Sequence, residues 1–516
     1  VSGGDAGATT GGLHHVTGIT ADVQANVDFY AGFLGLRLVK RTAGFADAEQ
    51  LHLVYGDRLG SPGSLLTFLV WEAAGRGRSG VGQVLEVALA VPPASLADWL
   101  TAALEAGVPF EGPTREFAEP VLRLRDPDGL IVKLVGVDLP SPAPLPRGPS
   151  RLRGVTLLTD RGAQTAAFLA RFGYRPAERA GPTQRLRSPT DVVDVRDAPG
   201  FVPSVPGAGV PDHVAFRAAD AGALHALRRS LRDHGPTEVH DRKYFRSLYV
   251  RDPAGILMEH ATDGPGMTVD EPPEALGRTL FVPPQAAGRA EDLAAMLPQF
   301  ALPGEERFPA RRLPFIHRFN RPERPDGSTL VLLHGTGGNE ADLMPLARRI
   351  APRATLLGVR GRATEENVNR WFRRFDGATF DQADIRGEAA AFAAFVDGAV
   401  AGYGLDAARL GFLGYSNGAN FLAAAMQLHP SAVRRAVLLR GVQVLDPPPA
   451  GDLSGAHALA IEGGEDPAAG AAPTLADDLR ARGARVETRR APGGHELTDT
   501  DVAEAAAWLG QALAAP

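Results

Sequence analysis

The sequence predicts two unlike architectures in one chain: four repeated β-α-β-β-β units of α+β type, then an α/β domain on a doubly wound, mainly parallel sheet. Three observations predict it. A rhythm of strand, helix and further strands recurs four times in the first half, and the turns RDPDG (125–129) and RDPAG (251–255) stand at corresponding places in the second and fourth passes. Beyond about Phe315, short apolar runs alternate with helical patterns.

The first unit opens on LHHVTGIT (13–20), continues through the helical ADVQANVDFYAGFLG (21–35), and closes on EQLHLVYGD (49–57) and SLLTFLVWE (64–72). The second runs from VLEVALAV (84–91) through ASLADWLTAALEAG (94–107) to VLRLRDPDGLIVKLVG (121–136). RLRGVTLLTD (151–160) and AQTAAFLARFG (163–173) begin the third; PDHVAFRA (211–218), ALHALRRSLRDHG (223–235) and FRSLYVRDPAGILMEHATD (245–263) make the fourth. The proline-stiffened stretch VDLPSPAPLPRGPS (137–150) reads as a connector, and within 263–328 only Arg289 to Leu297 looks helical. Strand candidates TLVLLHG (329–335), ATLLGVRG (354–361), RLGFLGYS (409–416), RAVLLRG (435–441) and HALAIEGGED (457–466) then alternate with helices. The expected domains are 1–137 (units one and two), 151–302 (units three and four with a C-terminal extension) and 312–516.

The 516 residues carry a net charge of −6 and no cysteine. The weak acidity argues against nucleic acid and anionic membranes as partners. Lack of cysteine excludes disulfides, thiolate zinc sites and cysteine nucleophiles, leaving metals to His, Asp and Glu and covalent chemistry to hydroxyl, amine or carboxylate groups. Residues 1–12 lack a basic n-region or apolar h-region, and no apolar run reaches a membrane span, so the expectation is a cytoplasmic protein acting on a small molecule. A homo-oligomer is compatible with the sequence.

Two constellations carry chemistry. His14 and His15 begin unit one, His213 stands at the equivalent place in unit four, and Glu259 lies on unit four's last strand. Two imidazoles and a carboxylate projecting from strands match a facial triad, which suits Fe(II), or Mn(II), and leaves positions for a substrate and dioxygen. The arrangement requires units one and four to face each other. Strand alternation allows only one of His14 and His15 to be a ligand. Where unit one has His15 and unit four Glu259, unit two offers Leu85 or Val87 and Lys133, and unit three Val155 or Leu157, so no second metal centre is expected. Tyr249 offers a phenol to a substrate hydroxyl, Arg242 can stabilise negative charge, and His14 can shuttle a proton.

The second constellation is Gly414-Tyr415-Ser416-Asn417-Gly418, G-x-S-x-G between a strand and a helix, which presents Ser416 as a nucleophile. Asp466 after HALAIEGG and His495 in APGGHEL complete the order Ser, Asp, His, with Glu465 as the reserve acid. The turn His334-Gly335-Thr336-Gly337-Gly338 can aim the Thr336 amide, with that of Asn417, at an oxyanion.

Through GLHHVTGIT (12–20), DHVAFRA (212–218), DRKYFRSLYVRDPAGILMEHATDGPG (241–266) and EALGRTLFVPP (274–284), residues 12 to about 300 resemble the vicinal-oxygen-chelate superfamily, in particular its four-module, hydroquinone-cleaving extradiol dioxygenases. The resemblance implies iron held by His15, His213 and Glu259, dioxygen as co-substrate and a small aromatic substrate, with His14, Arg242 and Tyr249 against the bound quinol. Relatives often carry a histidine where this chain has Asp212, which is taken as a substrate-side residue. Through LLHGTGGN (332–339), GYSNGAN (414–420), GGEDP (463–467) and GGHEL (493–497), the rest resembles the carboxylesterase/phospholipase branch of the α/β-hydrolase fold, with Trp371 and Phe372 as candidate pocket residues. The combined expectation is a bifunctional enzyme: ring cleavage of a hydroquinone-like dihydroxyarene plus serine hydrolysis of an ester, lactone or acyl product. Two alternatives stay open for the first half, a metal-dependent isomerase or transferase on electrophiles and a metal-free aromatic-binding module.

Overall fold

The computed structural model describes residues 11–72, 74–307, 313–376, 379–466 and 475–514. Residues 1–10 and Arg312, which the expected domain limits include, lie outside these. The chain forms two compact units, one of residues 1–288 with 300–307 and one of residues 289–299 with 308–516. The connector 137–150 lies inside the first unit and does not separate two bodies.

Each repeat of the first unit folds as strand, helix and three strands, with first and last strands side by side and parallel. The repeats join in an order that their sequence adjacency does not suggest. Units four and one share a nine-stranded sheet, where Leu13–Thr20 pairs antiparallel with Pro211–Ala218; units three and two share an eight-stranded sheet, where Gln83–Val91 pairs antiparallel with Arg151–Thr159. Residues from opposite ends of the first half are thereby brought onto one surface. The central strand Leu13–Thr20 is buried throughout, as a strand covered on both faces must be.

Strand register fixes which residues are equivalent. Thr17 pairs with His213 and Thr67, Ala215 with His15 and Glu259, Ala88 with Gly154 and Lys133, and Thr156 with Glu86 and Asp194. His15, Glu86, Gly154 and His213 therefore occupy one position of the repeat, and Thr67, Lys133, Asp194 and Glu259 another. This corrects the expected matches Leu85 or Val87 and Val155 or Leu157 by one residue. The cause is a register shift between Leu13 and His15, repeated between Val84 and Glu86, which defeats simple alternation.

The second unit holds a seven-stranded sheet in the order His317–Asn320, Thr355–Val359, Thr329–Leu333, Leu410–Tyr415, Arg435–Leu439, His457–Gly463, Arg485–Ala491, with only the first strand antiparallel. Alternate residues feed separate cores: Val331 and Leu333 lie with Phe392 and Phe421, Leu330 and Leu332 with Met344 and Leu509. Both faces are thus covered by helices. Helix Ala290–Met296 packs Ala295 and Met296 into the second of these cores, so residues 289–299 belong to the second unit although they fall inside the expected limit of 302, while 300–307 belong to the first. Among the described residues no helix is long and apolar enough to cross a membrane.

Candidate active sites

The shared sheet of units one and four places His15, His213 and Glu259 together, all buried, with one ligand atom of each within 4.8 Å of the others. Glu259 Oε2 lies 2.9 Å from His15 Nε2 and 3.0 Å from His213 Nε2. These are ion-pair separations without hydrogen-bond geometry, and both Glu259 oxygens are buried with no hydrogen-bond partner. Although burial opposes the charged form, the two histidines hold the Glu259 carboxyl well below its ordinary range. Burial likewise disfavours a charged His213, but its bond to Asp212 and the nearby Glu259 carboxylate push it up to about 9. The cluster therefore stabilises positive charge beside Glu259. Two nitrogens and one oxygen converging on one point fit a divalent metal ion.

The supporting contacts orient the ligands. Asp212 Oδ2 lies 2.7 Å from His213 Nδ1, so the carboxylate expected beside substrate is taken up by the far nitrogen of a ligand, which turns Nε2 inward. Thr17 Oγ1 lies 2.9 Å from His213 Nε2 and 2.8 Å from Thr67 Oγ1, a contact that sequence motifs gave no reason to seek. His14 Nδ1 and His15 Nδ1 are 2.9 Å apart; the register shift beside them brings both rings to one place despite their adjacency. Burial first, then His15, lowers His14 to about 3, so it is neutral, and its Nε2 is buried without a partner. Tyr249 stands directly opposite Glu259 on the neighbouring strand. Burial and then the Glu259 charge push its phenol up, keeping the proton on oxygen, and Arg242 Nη2 reaches that oxygen at 3.5 Å. A groove of about 670 Å³ opens beside Arg242, lined by Phe45, His240, Lys243 and Phe281 among others.

In the second unit, Ser416 sits between strand Leu410–Tyr415 and helix Asn417–Leu428 at φ 52°, ψ −117°, a strained backbone that exposes its hydroxyl. Its flanking glycines are required by space: a Cβ on Gly414 would meet Gly418 O at 2.7 Å, and one on Gly418 would meet Leu333 O at 2.2 Å. His495 Nε2 lies 2.9 Å from Ser416 Oγ and His495 Nδ1 lies 2.8 Å from Asp466 Oδ2. Asn417 is the first residue of its helix, so its amide has no intrahelical acceptor, and Thr336 is exposed on the turn after Thr329–Leu333. Trp371 and Phe372 are not pocket residues. Both have no exposed surface; Trp371 stacks on Phe421, its indole N–H donates to His334 O at 2.9 Å, and its amide donates to Asn417 Oδ1 at 2.9 Å.

The residue that motif reasoning missed is Arg440. Its side chain is fully buried, forks onto Asp501 at 2.7 and 3.0 Å, and donates to Gly494 O and Glu496 O at 3.0 Å each, the carbonyls on either side of His495. A φ of 57° at the end of a strand would be its one sequence-invisible marker.

Residues 12–134 match the family model of the Glyoxalase/Bleomycin resistance protein/Dioxygenase superfamily. The chain is 36% identical over 274 residues to MhqO of Bacillus subtilis, named as a ring-cleaving dioxygenase, covering 50% of this chain and 86% of the relative. It is 33% identical over 271 residues to a chlorohydroquinone/hydroquinone 1,2-dioxygenase of Sphingobium indicum, covering 48% of this chain and 84% of the relative. Over 194 residues, 36% of this chain, it is 33% identical to MhqD of Bacillus subtilis, named as a hydrolase, covering 94% of that protein. A crystal structure of a protein assigned as a dioxygenase from Bacillus subtilis superposes with a TM-score of 0.55 at 34% identity, covering 57% of this chain and 98% of that one.

Proposed function

The chain belongs to the Glyoxalase/Bleomycin resistance protein/Dioxygenase superfamily and joins a dioxygenase part to a hydrolase part, and from that premise we propose that it opens hydroquinone-like rings and hydrolyses an ester, lactone or acyl product. The observation that carries the first activity is the convergence of His15, His213 and Glu259 on one buried point, where both Glu259 oxygens have no hydrogen-bond partner. These three residues would hold Fe(II), with Mn(II) as the nearest substitute, since nitrogen and carboxylate donors suit both. When bound, the metal supplies the redox chemistry that lets dioxygen attack a dihydroxyarene beside a hydroxyl-bearing carbon.

The protein's own groups then orient substrate and stabilise its charge. Tyr249 keeps its proton and donates a hydrogen bond to a substrate oxygen. Arg242, at the groove mouth, faces the same phenol and stabilises negative charge as the quinol loses protons. His14 is neutral and its Nε2 is buried without a partner, which leaves it to hydrogen-bond a substrate oxygen. A cytoplasmic location belongs to the same proposal.

In the hydrolase, His495 Nε2 takes the Ser416 proton as Oγ attacks the carbonyl carbon, and Asp466 stabilises the imidazolium through Nδ1. The amides of Thr336 and Asn417 receive the oxyanion. Collapse expels the alcohol, which takes the proton from His495, and water then releases the acid from acyl-Ser416.

The test is dioxygen uptake by anaerobically Fe(II)-loaded protein given methylhydroquinone, with His213→Ala as control. Rapid uptake lost in the variant supports the reading. A fully metallated wild type with no uptake across hydroquinones and catechols overturns it and returns the first half to an isomerase or transferase. For the hydrolase, p-nitrophenyl ester turnover must disappear in Ser416→Ala while dioxygen uptake is unchanged.

A further inference from the structure

On the same concave wall as the metal-type cluster, two polar side chains have no assigned task. Thr67, whose hydroxyl bonds Thr17 beside His213, shares a face of strand Leu65–Val70 with Leu69. His52 on strand Leu51–Gly56 stands directly opposite Leu69, and Thr42 on Arg37–Ala43 stands directly opposite His52. Both carry an orphan: His52 Nε2 and Thr42 Oγ1 are buried without any hydrogen-bond partner. Buried polar atoms are seldom left unpaired, because each costs its lost hydration. Two on neighbouring strands of one face point to a ligand that pairs them.

Their position limits what that ligand is. The strand of His52 lies two strand spacings, about 10 Å, from the strand of His15. That separation is on the order of the span of one aromatic ring with a hydrogen-bonding group at each end. After burial, the groups that act on His52 are His15, His213, Glu259 and Arg242, so it lies near both the cluster and the groove residue. Burial first, then those histidines, pushes it down to about 3; it is a neutral imidazole, and a bound cation would press in the same direction. Neutral imidazole and hydroxyl can each donate and accept one hydrogen bond, the pattern that a phenolic O–H satisfies. A carboxylate or phosphate on the ring would instead need a charged partner.

We infer that His52 and Thr42 form a polar subsite for the second hydroxyl of a 1,4-dihydroxyarene whose first hydroxyl sits at the His15, His213 and Glu259 cluster. This rests on the ring-cleavage reading and specifies it: the far hydroxyl is selected by pairing two orphaned atoms. A ring lacking it leaves them unpaired.

Anaerobic calorimetric titration of the Fe(II)-loaded full chain with methylhydroquinone and with 3-methylphenol, which lacks the second hydroxyl, tests the subsite without turnover. The wild type is expected to favour methylhydroquinone about tenfold. His52→Phe and Thr42→Val each remove most of that preference while 3-methylphenol affinity stays within about twofold, and His52→Gln restores part of it. Thr42→Val removes only a hydroxyl at nearly constant volume, so it carries the test where His52→Phe loses iron or fails to fold. Equal weakening for both ligands, or an unchanged preference, overturns the subsite. A wild type that takes up dioxygen with methylhydroquinone but binds both rings alike overturns the subsite alone; one that holds iron and binds neither ring overturns the ring-cleavage reading and the subsite together.

Discussion

The two sheets of the first unit are built from the same repeat and differ in how they handle buried charge. In the sheet of units four and one, the equivalent positions hold His15, Thr67, His213 and Glu259, and no lysine or arginine is ion-paired to Glu259 among the described residues. In the sheet of units two and three they hold Glu86, Gly154, Lys133 and Asp194, and every charge is answered. Lys133 Nζ lies 3.0 Å from Glu86 Oε2 and 3.1 Å from Glu116 Oε2, and bonds Thr156 Oγ1 at 3.0 Å. Arg123 Nε holds the other Glu86 oxygen at 3.0 Å, and Arg185 forks onto Asp194 at 2.7 and 2.8 Å. What remains is a cavity of about 10 Å³, at the lower limit for one water. An ammonium stands in one sheet where the other calls for a cation from outside. A ligand site in this fold is therefore a charge cage left incomplete, and closing it takes one lysine.

The largest test of that contrast exchanges charge at equivalent positions. Glu259→Gln removes the anion that demands the cation, so iron content by elemental analysis and dioxygen uptake should both collapse, uptake by about a thousandfold or more. Loss of an outer-shell partner alone costs about 10–100-fold, and a ligand must cost more. Glu86→Gln should leave iron content and uptake within about twofold. Comparable losses in the two variants would show that both cages serve one metal-dependent activity.

Removing the built-in cation should cost stability instead of activity. Lys133 is 3% exposed, and Lys133→Met leaves Glu86 and Glu116 to share Arg123 alone, which is expected to destabilise the protein by about 2 kcal/mol. Urea unfolding followed by near-ultraviolet circular dichroism checks it. An unchanged midpoint would mean that solvent already reaches the closed cage.

The same pair sets an acid limit. Burial would raise the Glu86 carboxyl, but Lys133 and Arg123 hold it down to about 2, against 4.5 ordinarily. A folded value below the unfolded one gives stability that is complete above about 4.5 and lost as pH falls toward 2. The full contribution is on the order of 3 kcal/mol. Glu86→Gln should therefore be less stable than wild type at pH 6, and the two curves should converge near pH 2. Parallel curves would place the acid sensitivity elsewhere.

How much of this was legible in the sequence depends on whether a residue's role is local. G-x-S-x-G, Asp466 and His495 follow chain order, and the structure brings them within 2.9 Å contacts. His15, His213 and Glu259 could be picked because the repeat marks equivalent ends, although two of them lie about 200 residues from the third. Glu86 and Gly154 were missed by one place, because a β-bulge shifts alternation without a composition signal. Trp371 and Phe372 were misplaced for another reason: an aromatic pair next to a motif fits pocket and core equally, and only burial separates them. Thr17 lies inside GLHHVTGIT without a role assigned to it, His52 and Arg440 belong to no motif, and long-range pairing alone gives the three their neighbours.

Arg440 provides the smallest test and the sharpest one, since its ion pair is complete yet stands beside His495, the base proposed for Ser416. Its fork satisfies Asp501, as Arg185 satisfies Asp194, but two further donors fix the carbonyls of Gly494 and Glu496. Those two bonds set where His495 sits relative to Ser416. Lysine keeps the charge but has no planar fork, so Arg440→Lys should retain the fold and lose placement of the loop. The expected result is a kcat for p-nitrophenyl acetate lower by about tenfold with KM within about twofold, since a displacement well under 1 Å misaligns proton transfer. A lower melting temperature with unchanged kcat in the folded fraction would make the residue a strut like Arg185. A fallen kcat shows that a finished charge cage can still act in a site, through the backbone it holds.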